Sequence, residues 1–289
     1  MTKAIVWLAD RGVVRVAGED AASFLQGLLT NDVEGSRIGE ARYAGLLTPQ
    51  GKILFDMLVV RSPADAGAAY LADCAAAQAS DLAKRLGFYK LRAKVAVADE
   101  SAERAVIAAW DEDVATPLGA FVYRDPRDPR LGRRAVVARA DAVAIGDAEL
   151  GAYEALRIAA GVPKGGVDFA YGDTFPHDAD FDLLSGVDFD KGCYVGQEVV
   201  SRMKHRGSAR KRVVRVRLSG EPPPPGTPVV DGVLAVGALG SAAGRDALAM
   251  LRMDRVEEAS TSGRALTAGG VGVALADPTA FDGLSARSP

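Results

Sequence analysis

The chain has 289 residues, of which 48% are hydrophobic and 25% are charged, and its formal net charge is −3. This composition is typical of a soluble globular protein, and it excludes a disordered chain, a collagen, a coiled coil and a disulfide miniprotein. At roughly 100–200 residues per domain, the length predicts two domains or one elaborate domain. The slight acidity argues against a protein that binds nucleic acid with its whole surface.

Cysteine usage and hydropathy predict where the protein is found. Cys74 and Cys193 are far apart and form no Cys-x-x-Cys motif, so we expect free thiols in a reducing compartment. The short apolar run at the N-terminus is broken by Asp10 and Arg11, which is too early for a signal peptide. No apolar stretch approaches the roughly 18 residues of a membrane span. These features predict a soluble, cytoplasmic protein without a membrane partner.

The first ninety residues predict a mixture of strands and helices. Residues 5–8 and 13–16 predict two strands joined by a turn. Asp20 is a candidate N-cap of a first helix, and residues 43–60 have the pattern of a hairpin around a Pro-Gln-Gly-Lys turn. A second helix is expected to stop at Gly87.

The composition and the predicted secondary structure of the chain change near residue 205. Residues 95–97 and 105–110 predict strands, whereas 124–134 predicts a charged, proline-containing loop between two units. Residues 149–160 predict a helix. Beyond residue 205, short β-rich runs alternate with Gly- and Pro-rich turns, which predicts a small antiparallel barrel or sandwich. The expected class is therefore α+β, followed by an all-β C-terminal module.

Several kinds of chemistry are excluded by missing motifs. The chain contains no His-Glu-x-x-His, no Gly-x-Ser-x-Gly and no phosphate-binding loop. Asp178, Asp180 and Asp182 begin like a calcium loop, but the required glycine and the final glutamate are replaced by Leu183 and Phe189. We therefore predict no metal site of the protein's own.

The most unusual stretch is Lys-Gly-Cys-Tyr-Val-Gly-Gln-Glu, which begins at Lys191. Gly192 and Gly196 favour a tight turn, and residues 197–204 have a helix-forming composition. This arrangement predicts that Cys193 precedes a helix N-terminus beside a lysine, where positive charge stabilises a thiolate. A thiolate acts as a nucleophile, a soft-metal ligand or a redox group. The alternative is that Cys193 is a small buried hydrophobic residue.

A basic stretch follows this motif, with no acid between Glu198 and Glu221. It is a candidate docking site for a polyanion, a folate polyglutamate tail or RNA. The absence of interleaved aromatic residues does not favour nucleic acid. The alternative is a solvated face neutralised by nearby aspartates. The candidate anion or partner contacts are Arg202, Arg206, Arg210, Lys211 and Arg212.

The octapeptide and several other segments resemble the YgfZ folate-binding proteins, which are relatives of the glycine-cleavage T-protein, an aminomethyltransferase. Residues 24–33 resemble the first helix of that family, 46–56 its hairpin, 157–163 its central helix end and 223–228 its barrel loop. The resemblance implies a T-protein-like ring of two α/β units with a C-terminal antiparallel β-barrel and a central folate channel.

The implied division has three parts. Residues 1–45 together with 141–205 form a first, discontinuous α/β unit, 46–140 form the second unit and 206–289 form the barrel. The resemblance also implies a tetrahydrofolate-binding protein that assists the assembly or repair of iron–sulfur clusters, especially in [4Fe-4S] enzymes. Its expected partners are a reduced folate and either assembly proteins or client enzymes.

The resemblance assigns roles to individual residues. Cys193 is implied to be the reactive or ligating thiol, with Lys191 beside it. Asp56 and Arg157 are implied folate contacts, although Arg157 is equally interpreted as an interior ion-pair residue. The residues that support the motif are Gly192, Tyr194, Gly196, Gln197 and Glu198.

Two departures from the T-protein pattern bear on activity. The paired aspartates of its hairpin are Phe55 and Asp56 here, and Ala159 replaces the glutamate of its central helix end. Carboxylates at these positions are suited to binding the pterin and guiding a one-carbon unit. A folate-dependent aminomethyl or one-carbon transferase is therefore kept as an alternative function, and an RNA-binding accessory protein as a second one.

Overall fold

The computed structural model describes residues 4–64, 67–206 and 210–277, with the backbone alone for Arg206. The helices in these residues are α1 (Ala21–Gln26), α2 (Ala79–Tyr89), α3 (Arg139–Ile145), α4 (Leu150–Ala160), α5 (Gln197–Arg206) and α6 (Met253–Thr261). The strands are β1 (Ile5–Trp7), β2 (Arg11–Gly18), β3 (Ala41–Leu47), β4 (Ile53–Ser62), β5 (Ala68–Ala75), β6 (Ala96–Asp99), β7 (Arg104–Ala109), β8 (Phe121–Arg124), β9 (Arg133–Ala138), β10 (Lys211–Leu218), β11 (Pro228–Val230), β12 (Ala235–Ala243), β13 (Asp246–Arg252), β14 (Leu266–Ala268) and β15 (Val271–Leu275).

Two antiparallel sheets face each other across a shared core. The first has the order β3-β4-β5-β2-β6, and the second has the order β1-β7-β9-β8. Successive side chains of a strand point to opposite faces, so Leu58 packs into the core between the sheets, whereas Val59 packs on the other face among residues of α1 and α2. On the outer face of the second sheet, Ala142 of α3 packs against Ile107.

The strand pairing differs from the predicted division of the chain. The predicted boundary between residues 45 and 46 falls inside β3, and β3 pairs along its length with β4 of the same sheet. The two N-terminal strands, which the sequence predicts as consecutive, enter different sheets, because β1 pairs with β7 and β2 pairs with β5 and β6. The N-terminal segment therefore links the two sheets.

The C-terminal module is a closed antiparallel barrel, which confirms the sequence prediction. Its strand order is β10-β13-β12-β11-β14-β15. Helix α6 was not predicted, and its Met253 and Val256 are buried in the barrel core. On the outside of the barrel, Ile158 of α4 packs against Val213 and Leu248, which attaches the barrel to the rest of the protein.

The segment 124–134, predicted as a charged loop between two units, is a loop only in part. It contains the end of β8, a short 3-10 turn and the start of β9. The buried Asp125 accepts two hydrogen bonds from the Arg127 guanidinium, of 2.9 and 2.6 Å, and one of 3.1 Å from the Arg134 side chain. Since these charges have partners, Asp125, Arg127 and Arg134 are able to lie inside the protein. Arg124 and Arg130 stay exposed.

Asp73 connects this network to the first sheet. This fully buried residue of β5 accepts hydrogen bonds from Arg134 of β9 at 2.6 Å and from Arg11 of β2 at 2.5 Å. The hydroxyl of Tyr123 donates a further bond of 3.1 Å. These contacts join the two sheets by charge-assisted hydrogen bonds as well as by apolar packing.

Helix α2 also differs from its prediction. It does not end at Gly87 but continues to Tyr89, followed by Lys90 in helical conformation. A Cβ at Gly87 would meet no other atom, so this glycine lies in the helix without a structural requirement for it. The predicted α4 is confirmed, and Gly161 ends it in the left-handed conformation, with φ +74°.

None of the helices in the described part of the chain combines the length and the hydropathy needed to cross a bilayer.

Candidate functional site

The octapeptide forms an exposed loop that leads into α5, as the sequence predicts. Cys193 and Gly192 are exposed, whereas Tyr194 is buried at 8% relative exposure. Helix α5 begins at Gln197, whose amide donates to the Tyr194 carbonyl at 3.2 Å. Cys193 is therefore not the small buried residue of the alternative interpretation.

Lys191 anchors this loop to the end of α1. Its ammonium group donates three hydrogen bonds, to the carbonyl oxygens of Gln26, Leu29 and Asn31, at 2.8, 2.7 and 2.9 Å. Burial lowers the pKa of Lys191 to about 8. All three N–H donors of the ammonium are used by these carbonyls. The contacts indicate that Lys191 positions the loop, which differs from the predicted role beside the thiolate.

Lys191→Met is expected to destabilise the protein by about 3 kcal/mol, since it leaves three partly buried carbonyls without their charged donor. The measurement is urea unfolding of the native protein and the variant. Lys204→Met is the matched control, because the described contact of Lys204 is with the ring of Phe189, 3.7 Å from its ammonium. Equal stabilities of the two variants would contradict the anchoring role.

One of the two motif glycines is required by the turn. Gly196 has φ +83°, and a Cβ there would lie 2.6 Å from the Thr48 carbonyl oxygen. Opposite it, Gly51 of the β3–β4 turn has φ +80°, and a Cβ would lie 2.9 Å from Val199 of α5. Gly192 does not have a positive φ, and a Cβ there would meet no atom. The loop thus packs closely on the hairpin turn through Gly196, whereas Gly192 is not needed for the turn.

Two residues that support the loop were missed by sequence reasoning. Asn31 donates to the carbonyl oxygens of Tyr43 and Ser185 at 2.7 and 2.6 Å. The hydroxyl of Thr30 donates to the Gly186 carbonyl at 2.6 Å. Both residues belong to the segment 24–33, which resembles the first helix of the family, but neither of them was given a role from the sequence.

The structure separates the predicted basic contacts into different groups. Arg212 donates hydrogen bonds to the Asp182 carboxylate, at 2.6 and 2.9 Å, and to the His177 carbonyl oxygen at 2.6 Å. Arg202 pairs with Glu198 across one helical turn at 2.5 Å. Arg210 and Lys211 are exposed, and neither forms an ion pair with another described residue, while the side chain of Arg206 lies outside the described residues.

Two buried aspartates near Arg212 have pKa values above the usual range. Burial raises the pKa of Asp178 to about 6 and that of Asp180 to about 8. Arg212 lies 3.2 Å from Asp180 and opposes the shift. Ionising either carboxyl therefore disfavours the folded state, so their contribution to stability is present below pH about 4 and is lost as the pH rises towards 8.

Asp180→Asn is expected to flatten this pH dependence, because the amide cannot ionise and asparagine tolerates the backbone φ of +58° at this position. The native protein is expected to lose on the order of 3 kcal/mol or more between pH about 4 and 8 from Asp178 and Asp180 together. Urea unfolding across this range measures the slope. The exposed Asp190→Asn serves as control, and an unchanged slope in Asp180→Asn would contradict the assignment.

The two predicted folate contacts line one cavity, but both are already bonded. The buried Asp56 carboxylate accepts a short hydrogen bond from the Tyr171 hydroxyl, and the Tyr43 hydroxyl lies 3.4 Å away. Arg157 donates to the Val162 carbonyl at 2.6 Å and to Asp168 at 3.0 Å. These bonds agree with the interior ion-pair interpretation of Arg157.

This cavity is too small for a reduced folate. Its volume is about 20 Å³, which is enough for a single water molecule. Pockets that bind cofactors are larger by about an order of magnitude. The residues that the resemblance implies as folate contacts therefore do not fit a pterin between them in this arrangement.

Known families and structures share this architecture. The GCVT N-terminal domain model matches residues 8–110, and the CAF17 C-terminal beta-barrel domain model matches residues 210–282. The crystal structure of the glycine cleavage system aminomethyltransferase T from Bartonella henselae is similar, with a TM-score of 0.74 over 95% of this chain and 85% of that chain, at 17% identity. The protein therefore has a T-protein-like fold with a C-terminal barrel of the CAF17 type.

Curated relatives define the family. An iron-sulfur cluster assembly factor IBA57 homolog from Mycosarcoma maydis is 37% identical over 231 residues, which are 74% of this chain and 57% of that protein. IBA57 of Mus musculus is 34% identical over 261 residues, 82% of this chain and 72% of that protein. The chain belongs to the CAF17/IBA57 family of iron–sulfur cluster assembly factors. It spans little more than half the length of the fungal relatives from Mycosarcoma maydis and Neurospora crassa.

Two predictions change in the light of these relatives. The cytoplasmic location is wrong by this comparison, because the relatives from Mycosarcoma maydis, Neurospora crassa and Mus musculus are each described as mitochondrial. The resemblance to iron–sulfur cluster assembly factors with a T-protein-like fold is confirmed. The narrower YgfZ assignment stays a prediction.

Proposed function

We propose that this protein assists the assembly of iron–sulfur clusters through the thiol of Cys193. The observation that carries the proposal is an exposed cysteine in a loop held on both sides. Lys191 anchors the preceding residues with three hydrogen bonds, and the buried Tyr194 and Gly196 fix the following ones. A soft sulfur ligand presented in a fixed position is suited to contact the iron of a cluster that is delivered or received.

A single thiol does not hold a cluster alone. Among residues 4–64, 67–206 and 210–277, no group of three or more His, Cys, Asp or Glu side chains is placed to bind a metal ion. Clusters are held by several thiolate or imidazole ligands. In the proposed function the cluster is cargo, and an assembly protein or client enzyme supplies the other ligands.

The exposed cations after α5 are proposed to contribute to docking of this partner. Arg210 and Lys211 are exposed and free of described ion pairs, and Lys204 lies over the Phe189 ring near the motif loop. Exposed charges of this kind steer association and set its salt dependence. We therefore expect the partner to present acidic groups at this contact.

The alternative functions have less support. A one-carbon transferase of the T-protein type needs Asp56 free to act on a bound folate, but Tyr171 already donates to its carboxylate in a cavity of about 20 Å³. No folate step is therefore included in the proposal. For RNA, the basic stretch offers cations without the stacking aromatics that single strands require.

A replacement experiment tests the proposal. Cells that have lost their native copy are expected to lose the activity of a [4Fe-4S] enzyme, and this chain is expected to restore it. Glycine cleavage and a cluster-free dehydrogenase are measured in the same extracts as controls. Loss of glycine cleavage with an intact cluster enzyme would instead favour the transferase.

A further inference from the structure

The end of α2 exposes two large apolar side chains. Phe88 has 78% of its surface exposed, and Leu91, just after the helix, has 90% exposed. The opposite side of the helix is buried, since Leu82 and Leu86 pack into the core below the first sheet. Phe88 lies in the last turn of α2 and Leu91 lies two residues after the helix ends, so the two exposed side chains are close together in the chain at this end of the helix.

The charges around these two side chains have one sign. Residues 82–98 contain no acid and five cations, which are Lys84, Arg85, Lys90, Arg92 and Lys94. Two of them are paired locally, Lys84 with Asp81 and Lys94 with Glu19. Arg85, Lys90 and Arg92 are exposed and form no ion pair with another residue in the described ranges. Three free cations thus surround an exposed apolar pair on a chain whose net charge is negative.

Leu91 also has an unusual backbone. Its φ is +43°, a region that favours glycine and is rare for a bulky side chain. Such a conformation disfavours the folded state. A leucine that is both exposed and strained does not serve the core. The side chain of Leu91 is therefore accessible for a contact outside the protein.

We propose that the surface formed by Arg85, Phe88, Lys90, Leu91 and Arg92 binds the face of an anionic lipid bilayer. The two apolar side chains enter the interface, and the long cationic side chains reach the headgroup phosphates. An anionic bilayer presents one sign of charge over its whole face, as this surface requires. Nucleic acid would match the cations but offers no apolar layer to receive Leu91. This attachment is peripheral and differs from the sequence prediction of no membrane partner. It goes beyond the proposed function and does not depend on it.

Cosedimentation with vesicles tests the proposal on the full chain. The native protein is expected to bind vesicles of phosphatidylcholine with about one third phosphatidylglycerol, and not phosphatidylcholine alone. Added salt is expected to weaken the binding, since exposed charges are screened. Phe88→Ala combined with Leu91→Gly is expected to weaken it at least tenfold. The triple charge reversal R85E/K90E/R92E is expected to abolish it within the measurable range.

Matched variants keep the result interpretable. The triple reversal K204E/R210E/K211E changes the net charge equally on another surface, and it is expected to weaken vesicle binding less than about threefold. Leu91→Gly alone is expected to be at least as stable as the native protein, because glycine adopts positive φ without strain. Absence of binding to anionic vesicles, equal binding to neutral ones or equal losses in both triple variants would overturn the proposal. None of these outcomes bears on whether Cys193 supports cluster assembly.

Discussion

Cys193→Ser is expected to lose most of the cluster-assembly activity of the native chain, to the level of cells without any copy. Serine keeps the size and exposure of the side chain but offers a hard hydroxyl that is a poor ligand for iron–sulfur clusters. The measurement is the activity of a [4Fe-4S] enzyme in cells where each variant replaces the native copy at equal protein level. The anchoring contacts of Lys191 and Tyr194 do not involve the thiol, so folding is expected to be unchanged.

Cys74→Ala is the matched control for this experiment. Cys74 lies in β5 at 1% relative exposure, and burial raises the pKa of its thiol to about 12. It is therefore a structural thiol, and its truncation is expected to destabilise the protein by about 1 kcal/mol while leaving cluster assembly intact. If Cys193→Ser retained full activity, the thiol would have no role, and the proposed function would need another residue.

Arg134→Met is expected to destabilise the protein by about 3–5 kcal/mol, the largest stability effect we predict. Arg134 is buried at 3% relative exposure and donates to Asp73 at 2.6 Å, to Asp125 at 3.1 Å and to the Tyr153 hydroxyl at 2.8 Å. Its removal leaves two buried carboxylates with one arginine fewer between them. Urea unfolding at neutral pH measures the loss.

Arg124→Met provides the comparison for Arg134→Met. Arg124 pairs with Glu112 at the surface, where both side chains are more than 70% exposed, so a change below about 1 kcal/mol in the free energy of unfolding is expected.

The arginines around the two buried carboxylates hold the pKa of Asp73 and Asp125 below the usual range, although burial opposes this. The stability that these pairs provide is therefore lost as the pH falls below about 4. A small effect of Arg134→Met would contradict the network's role in joining the sheets.

The local signals of the sequence determined much of the fold. The Pro-Gln-Gly-Lys turn identified the β3–β4 hairpin, and a second helix was predicted where α2 lies, although its end was placed two residues too early. Short β-runs between Gly- and Pro-rich turns predicted the barrel, because closed antiparallel barrels are built from such runs. The octapeptide likewise placed Cys193 in a turn before α5, since glycines and helix-forming residues act over a few positions. These features depend on residues that are close together in the chain, and such local patterns are visible in the sequence.

The tertiary structure alone decided which distant groups meet. Lys191 donates hydrogen bonds to carbonyls that lie 160 to 165 residues earlier in the chain. Its ammonium group therefore holds the loop in place, although the sequence places it close to Cys193. Residues 124–134 were predicted as a charged loop, but Arg134 pairs with Asp73 of β5 and Asp125 pairs with Arg127 and Arg134, which allows these charges to be buried. Asp56 matches a folate contact in the sequence resemblance, but its carboxylate accepts a hydrogen bond from Tyr171, which lies 115 residues later. Residue type determines what a side chain is able to bind, whereas long-range packing determines what it does bind.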